Sequence, residues 1–539
     1  MRRLIIFAFL ISNIAQAQNT IQRPKIVVGI VVDQMRWDYL YRYYNRYSEN
    51  GFKRLINQGF SCDNTSIPYI PAITACGHTS IYTGSVPAIN GITGNDWWDY
   101  SLSQVVYCTG DDSTKTVGSN TEAGKMSPHN LLVTTICDEL RLATNFRNKV
   151  VGIALKDRAA ILPAGHSANA AFWYDDKTGD WITSSYYMND LPKWVKDLNA
   201  QKLVDKYFAQ DWNTLYPLNT YVQSTPDEEA YEYRPFGANA KGFPYNLKQF
   251  IGKGYGLLPV TPYGSSLTFD MAKAAINGEQ LGSDSTTDFL AISLSTPDYI
   301  GHSFGPNSVE AEDGFLRLDN DLDDFLKFLD TKIGKGEYLV FLSADHGAAH
   351  VPSFLKDNKI PAGSVDEQRL TDDINKLLKD KFRVEKLVIG IINYQVFLDR
   401  NAIEKAKLNK ELVNKETINF LMQQQGILRC FALDALSSTT LSPKIKNAAA
   451  NGYFPSRSGD IQLIYQPQWI ADFINRGTTH GAWNPYDTHI PLLWFGWNIH
   501  SGKTNREIFM TDIAPTIASM LHIQMPSGSI GTVIEVLGK

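Results

Sequence analysis

The chain has 539 residues, 43% of them hydrophobic and 20% charged, with a net charge of −5. Such a composition is that of an ordinary globular protein and excludes disorder and coiled coil. The mild negative balance excludes a general nucleic-acid binder, which needs a basic surface.

The first segment reads as an export signal. Met1-Arg2-Arg3 is basic, residues 4–11 are apolar, and Ala15-Gln16-Ala17 has the small-residue pattern of a cleavage site. Residues 1–17 are therefore expected to be removed, which takes the net charge from −5 to −7 by loss of Arg2 and Arg3. Gln18 rather than Cys follows, so no lipid anchor is expected, and no later run reaches the roughly 18 apolar residues of a membrane span. The expected location is the periplasm or the secreted fraction.

Residues 25–32 (KIVVGIVV) form a β-branched apolar run that predicts a buried strand ending at Asp33. Residues 39–57 read as helical. Helical patterns also cover 130–142 and 309–329, and further buried strands are predicted at 149–155, 287–294, 338–342 and 490–494. Strands alternating with helices predict an α/β fold, a mostly parallel central sheet with helices on both faces. Two stretches break the rhythm. Residues 168–260 carry Trp173, Trp181, Trp194 and Trp212 among many tyrosines, which reads as packing in an elaborated loop region, with carbohydrate binding as the alternative. Residues 351–475 read as an inserted α+β cap with helices near 365–381 and 410–424 and strands near 386–397 and 460–465. The core then spans 18–350 and resumes at 476–539.

Several strand ends carry potential ligands. Ala344-Asp345-His346-Gly347 ends an apolar run, where open α/β sheets place their sites, and an acid beside an imidazole is a zinc-type pair. Asp33 ends the first strand. Asp298 and His302 are four apart, on one side of a helical turn. His480 lies in GTTHG, and Thr74 in PAITACGHTS before a helical pattern. Each has a bland reading alone: Asp33 as a helix cap, Asp298 and His302 as a hydrogen-bonded pair, His480 as a loop histidine. His350 and His489 are the expected bystanders. The five cysteines, Cys62, Cys76, Cys108, Cys137 and Cys430, contain no C-x-x-C pair, so no thiolate cluster is expected, and their pairing stays open.

Taken in chain order, Asp33, Thr74, Asp298-x-x-x-His302, Asp345-His346 and His480 resemble the alkaline phosphatase superfamily. The segments VVDQMRWDYLYRYY, GHTSIYTGSVPAINGITGNDWWD, LKDRAAILPAGH, GPNSVEAED, VFLSADHGAAH and MTDIAPTIASML resemble its PafA-type, phosphate-irrepressible branch. The resemblance implies an exported phosphomonoesterase with two zinc ions. One ion would be held by Asp298, His302 and His480, the other by Asp33, Asp345, His346 and the Thr74 oxygen. It implies Thr74 as nucleophile and Asn95, Lys156 and Arg158 as binders of the phosphoryl group. Lys156 and Arg158, two apart, would share one side of an extended chain. A Thr replaces the Ser of the enteric branch, and no third-site carboxylate set is found, so no obligatory magnesium is expected. The expected partners are small phosphate monoesters, with the chain a monomer. A phosphodiesterase of the nucleotide pyrophosphatase type, or an exported binder of phosphate or metal, remain the alternatives.

Overall fold

The computed structural model describes residues 22–472 and 476–538; the expected signal peptide over residues 1–17 lies outside the described residues. A ten-stranded sheet organises the core. Its middle five strands run parallel, in the order Tyr338–Ser343, Ile26–Val32, Asp288–Leu294, Val150–Ala154 and Ala170–Asp175. Every residue of these five strands is buried, which is why they read as unbroken apolar runs rather than alternating ones. Antiparallel strands flank them: Leu492–Gly496 beside Tyr338–Ser343, and Asp180–Ser184 beside Ala170–Asp175. Helices Thr74–Thr83, Asp157–Ala164, Tyr263–Gly278 and Val309–Leu329 pack against the sheet.

The expected α/β organisation holds, with local corrections. The helix predicted over 39–57 is broken into Tyr39–Arg42, a 3₁₀ turn at Tyr44–Arg46 and Phe52–Gln58. The carboxylate of Asp319 causes the break, because it accepts from Ser48 N at 2.5 Å and Phe52 N at 2.7 Å and so replaces intrahelical partners. The helix predicted from residue 130 begins only at Ile136, where Thr135 and Asp138 form a capping box. Residues 170–184 extend the main sheet as a hairpin instead of forming a loop elaboration. Trp173, Trp181 and Trp212 are fully buried there, and Trp212 donates to Asp313 at 2.7 Å, so these rings are packing.

Residues 352–472 build a separate four-stranded antiparallel sheet with its own apolar core. The single strand predicted near 386–397 is two, Val388–Ile392 and Gln395–Leu398. Asn393 and Tyr394 both take positive φ between them, the geometry of a two-residue hairpin turn. All five cysteines are buried as free thiols. Among the described residues no helix is long and apolar enough to cross a membrane.

Candidate active site

The carboxyl ends of four central strands converge on one place, as open α/β sheets favour. Asp33 follows Ile26–Val32 and Lys156 follows Val150–Ala154. Asp298 sits in helix Thr296–Phe304, entered directly from Asp288–Leu294, and Asp345 and His346 follow Tyr338–Ser343. Thr74 opens helix Thr74–Thr83, and His480 arrives in the loop after the separate sheet. All but His302 are buried, and Asp33, Asp345 and His346 are completely so.

Two carboxylate–imidazole groups form. His346 Nε2 lies 3.4 Å from Asp33 Oδ1 and 3.3 Å from Asp345 Oδ2. Asp298 Oδ1 lies 3.1 Å from His302 Nε2 and 3.6 Å from His480 Nε2. The sets whose ligand atoms all fall within 4.8 Å of one another are Asp33, Asp345 and His346, and Asp298, His346 and His480. His346 is thus shared, its ring stacked on His480 at a centroid distance of 3.4 Å, whereas the expected division put His302 in its place. His302 joins through Asp298, with its ring 5.1 Å from that of His480.

The donors suit divalent ions. The Nδ1 atoms of His302, His346 and His480 face the carbonyl oxygens of Thr478 at 2.7 Å, Gly347 at 2.9 Å and Ala72 at 2.9 Å. A carbonyl only accepts, so each Nδ1 carries the proton and each Nε2 turns its lone pair to the centre. Asp33 Oδ1 and Asp345 Oδ2 are buried without a hydrogen-bond partner. Such orphaned carboxylate oxygens are rare unless something binds them.

Lys156 Nζ lies between the two groups, donating to Asp33 Oδ2 at 2.7 Å and Asp298 Oδ2 at 2.6 Å. Burial disfavours its charge, but Asp298 and Asp33 outweigh that and hold the ammonium protonated above its ordinary range. Burial and then the Asp345 charge push the Asp33 carboxyl up despite this contact. Burial opposes ionisation of Asp298 as well, yet His302 and Lys156 hold it well below the usual carboxylate range.

Thr74 Oγ1 is 3.4 Å from His346 Nε2. Asn95 Oδ1 accepts from Ala75 N at 3.0 Å, so it takes one of the free N–H groups of that helix end and leaves its own amide nitrogen as a donor. Arg158 differs from expectation in local structure. Lys156 is extended, with φ −82° and ψ 128°, but Arg158 is already inside helix Asp157–Ala164, so the two do not share a strand face. Arg158 is held instead by Tyr107, whose hydroxyl accepts from Nη1 at 3.1 Å and donates to Asp157 at 2.6 Å.

Four supporting residues escaped the sequence reading. Gln34, at φ 64°, donates through Nε2 to Asp298 Oδ1 at 2.5 Å and through its backbone N to Asp345 at 3.1 Å. His78 lies under Thr74, with Nδ1 2.9 Å from the Thr74 carbonyl and 3.3 Å from Asp345 Oδ2. Tyr107 orients Arg158, and the Tyr299 ring lies 5.2 Å from Lys156 Nζ. His78 sits one turn after Thr74, and Gln34 and Tyr299 directly follow Asp33 and Asp298, which were the available signals; Tyr107 reaches the site only through tertiary packing. His350 lies outside the centre, 2.6 Å from Asn307 Oδ1 and 3.3 Å from Arg36, and His489 stacks on Trp37.

Comparison with known proteins gives a consistent set. The profile of the type I phosphodiesterase / nucleotide pyrophosphatase family matches residues 27–487. Alkaline phosphatase PhoV of Synechococcus elongatus is 55% identical, over 96% of this chain and 94% of that protein. Alkaline phosphatase PafA of Elizabethkingia meningoseptica is 49% identical, over 97% of this chain and 96% of that protein. A Myroides odoratus protein named a calcium-transporting ATPase is 53% identical, over 96% of this chain and 95% of that protein. The crystal structure of wild-type PafA covers 97% of this chain and 100% of its own, at 48% identity and a TM-score of 0.95.

Proposed function

The chain belongs to the type I phosphodiesterase / nucleotide pyrophosphatase family, as a PafA-type alkaline phosphatase, and from that premise we propose how it works: as an exported zinc phosphomonoesterase acting through a phosphothreonine. Its likeness to PhoV and PafA over nearly the whole chain supports hydrolysis of phosphate monoesters. The observation that carries the mechanism is the gathering at one sheet edge of Thr74, two acid–imidazole sets and a buried cation, Lys156.

Asp298, His302 and His480 would hold one zinc, and Asp33, Asp345 and His346 the other beside Thr74. Two such ions supply Lewis-acid stabilisation of the entering and leaving oxygens and make the threonine hydroxyl more acidic. Thr74 Oγ attacks phosphorus in line and gives up its proton as the bond from phosphorus to the alcohol oxygen breaks. The alcohol leaves with a proton. Water then attacks the phosphothreonine, releasing inorganic phosphate and restoring the Thr74 hydroxyl. Asn95, Lys156 and Arg158 meet the unesterified oxygens; Arg158 can offer a planar fork and Lys156 a point charge. Lys156 also serves as fixed positive charge between Asp33 and Asp298, so the reading includes two zinc ions and no obligatory magnesium. Residues 1–17 would direct export to the periplasm or beyond. The name of the Myroides relative adds ATP as a candidate substrate, whose terminal phosphoryl group presents the same unesterified oxygens.

The family's name keeps a phosphodiesterase reading open, and matched aryl mono- and diesters separate the two. The wild type should prefer the monoester. Truncating both Lys156 and Arg158 to Ala should lower monoester kcat/KM by roughly 10²-fold or more, by analogy with loss of oxyanion donors. Diester turnover should fall much less, because a diester carries one negative charge fewer. A wild-type preference for the diester would overturn the monoesterase reading. Equal losses on both substrates would show that these cations do not read the second charge. Chelation should abolish activity and zinc restore it; full activity in metal-free protein would remove zinc from the mechanism.

A further inference from the structure

Asn95 and Arg158 come from distant parts of the chain, yet both depend on one hairpin. Asn95 stands at the foot of strand Asp96–Asp99, which pairs antiparallel with Gln104–Tyr107, Asp96 opposite Tyr107. Cys108 N donates to the Asn95 carbonyl at 2.8 Å and closes the foot. Tyr107, on the second strand, accepts from Arg158 Nη1 at 3.1 Å. Asp157 Oδ1 accepts from Tyr107 at 2.6 Å and from Thr109 at 3.1 Å, which fixes the start of the Arg158 helix to the same foot. A shift of this hairpin therefore moves Asn95 and the anchor of Arg158 together.

A two-stranded hairpin is marginal alone, so its place is set by what it packs against. On one side the buried Trp97 ring joins Ala75, Ile92 and Leu162 of the core. The remaining support comes from the separate sheet of residues 352–472. At the foot, Asn393 Nδ2 donates to the Asp96 carbonyl at 2.7 Å, and a Cβ on Gly94 would collide with the Asn393 amide. At the tip, Tyr100 N donates to Ser456 O at 3.1 Å and Tyr100 Oη to Asp460 Oδ2 at 2.7 Å. Asp460 is itself buried and fixed by Arg400 Nε at 3.0 Å and Lys410 Nζ at 2.8 Å. The Arg400 guanidinium lies 3.4 Å from the Tyr100 ring centre, so the tip is held on two sides. Beside Asn393 in the same turn, Tyr394 Oη donates to the His480 carbonyl at 2.8 Å. One turn of the separate sheet thus touches both the hairpin that carries Asn95 and the loop that carries His480.

We propose, resting on the reading of Asn95 and Arg158 as binders of the unesterified phosphoryl oxygens, that Asn393 and Tyr100 are positioning residues for phosphoryl recognition. Through them the separate sheet sets where Asn95 and Arg158 stand relative to Thr74 and the two acid–imidazole sets. A group misplaced by about 1 Å can cost roughly 10²-fold in rate, so a hairpin loosened at its foot or tip should weaken the contacts to those oxygens. A diester presents one unesterified oxygen fewer and should feel the loss less.

Asn393→Gly removes the amide and keeps the turn, because Asn393 takes a φ of 54°, which glycine adopts freely. Tyr100→Phe removes only the hydroxyl. Each is compared, as zinc-saturated full-length protein on matched aryl mono- and diesters, in the wild-type and in the Asn95→Ala/Arg158→Ala background. Each substitution should lower wild-type monoester kcat/KM by roughly tenfold, with a smaller loss on the diester. In the truncated background the same substitution should change it by less than about twofold, since its effect runs through the residues already removed. Equal losses in both backgrounds, or on both esters, would mean that the contacts serve stability alone and would overturn the assignment. Unchanged monoester kcat/KM in either variant would overturn it for that residue. Failure of the underlying reading looks different: Asn95→Ala/Arg158→Ala would itself cost no monoester activity, and the hairpin would have nothing to position.

Discussion

Thr74 is the first residue of a helix that is buried throughout, so its hydroxyl meets site groups and not bulk water. If it is the nucleophile, Thr74→Ala should lower kcat/KM by roughly 10³-fold or more, as loss of a covalent nucleophile does elsewhere. Thr74→Ser should keep substantial activity, and acid quenching during turnover should find phosphate on residue 74. A label on any other residue, or normal turnover by Thr74→Ala, would end the phosphothreonine mechanism. His350 carries a different expectation. Burial, and then the neighbouring Arg36, push its imidazole down to about 3, from an ordinary value of about 6.5 in the unfolded chain. The neutral ring therefore contributes stability that is complete above about pH 6.5 and is lost as the pH falls towards its folded value, because the unfolded chain takes up the proton first. The stability difference between wild type and His350→Gln should shrink over that interval in urea unfolding at fixed zinc. A difference that does not change with pH would show that the ring does not titrate as described.

At the scale of elements, helix Thr74–Thr83 reaches the sheet edge through Gly77. A Cβ at residue 77 would lie 2.3 Å from the Asp345 carbonyl oxygen, closer than packed atoms approach. Helix propensity favours Ala over Gly by about 1 kcal/mol, whereas overpacking a full interior costs about 1–3 kcal/mol. Here the obstacle is backbone, so steric cost should win. Gly77→Ala is expected to lower the melting temperature and zinc stoichiometry together, since Thr74 and Asp345 lie on opposite sides of that contact. A higher melting temperature with full zinc content would mean that the helix moves aside freely. The central strands were legible because burial on both faces leaves uninterrupted apolar runs, and residues 309–329 because their apolar positions repeat with the helix period. The helix over 39–57 was misread because a carboxylate from residue 319 interrupts it, and no local pattern carries that information. The Lys156–Arg158 spacing was read as strand because the helix starts between them, a boundary set by Asp157 and the Tyr107 network.

For the whole molecule, the separate sheet of residues 352–472 touches the candidate centre through its hairpin turn. Tyr394 Oη donates to the His480 carbonyl at 2.8 Å. Its ring also lies against Gly481, which takes a φ of +118° that few residues but glycine adopt. Tyr394→Phe leaves a buried carbonyl unpaired, at a cost of about 1–3 kcal/mol, and frees the loop that carries His480. It should lower stability and speed zinc loss to a chelator, while phosphate labelling of Thr74 in the zinc-saturated enzyme persists. Unchanged zinc release would mean that the hairpin does not brace the loop. Asp33, Thr74, Asp298, His302, Asp345, His346 and His480 were candidates in the sequence because they stand at strand ends, at a helix start, at helical-turn spacing and in one loop, but each had a bland reading alone and only the family resemblance joined them into one set. The sequence by itself thus determined the strands, the donor types and their chain order, since these follow from burial, periodicity and side-chain chemistry. Only the tertiary structure decided that His346 lies between both acid–imidazole sets, that Lys156 bridges Asp33 and Asp298, and that Gln34, His78 and Tyr107 hold them in place. These are contacts between residues up to hundreds of positions apart, and they exist only once strand order brings the carboxyl ends of four strands to one edge.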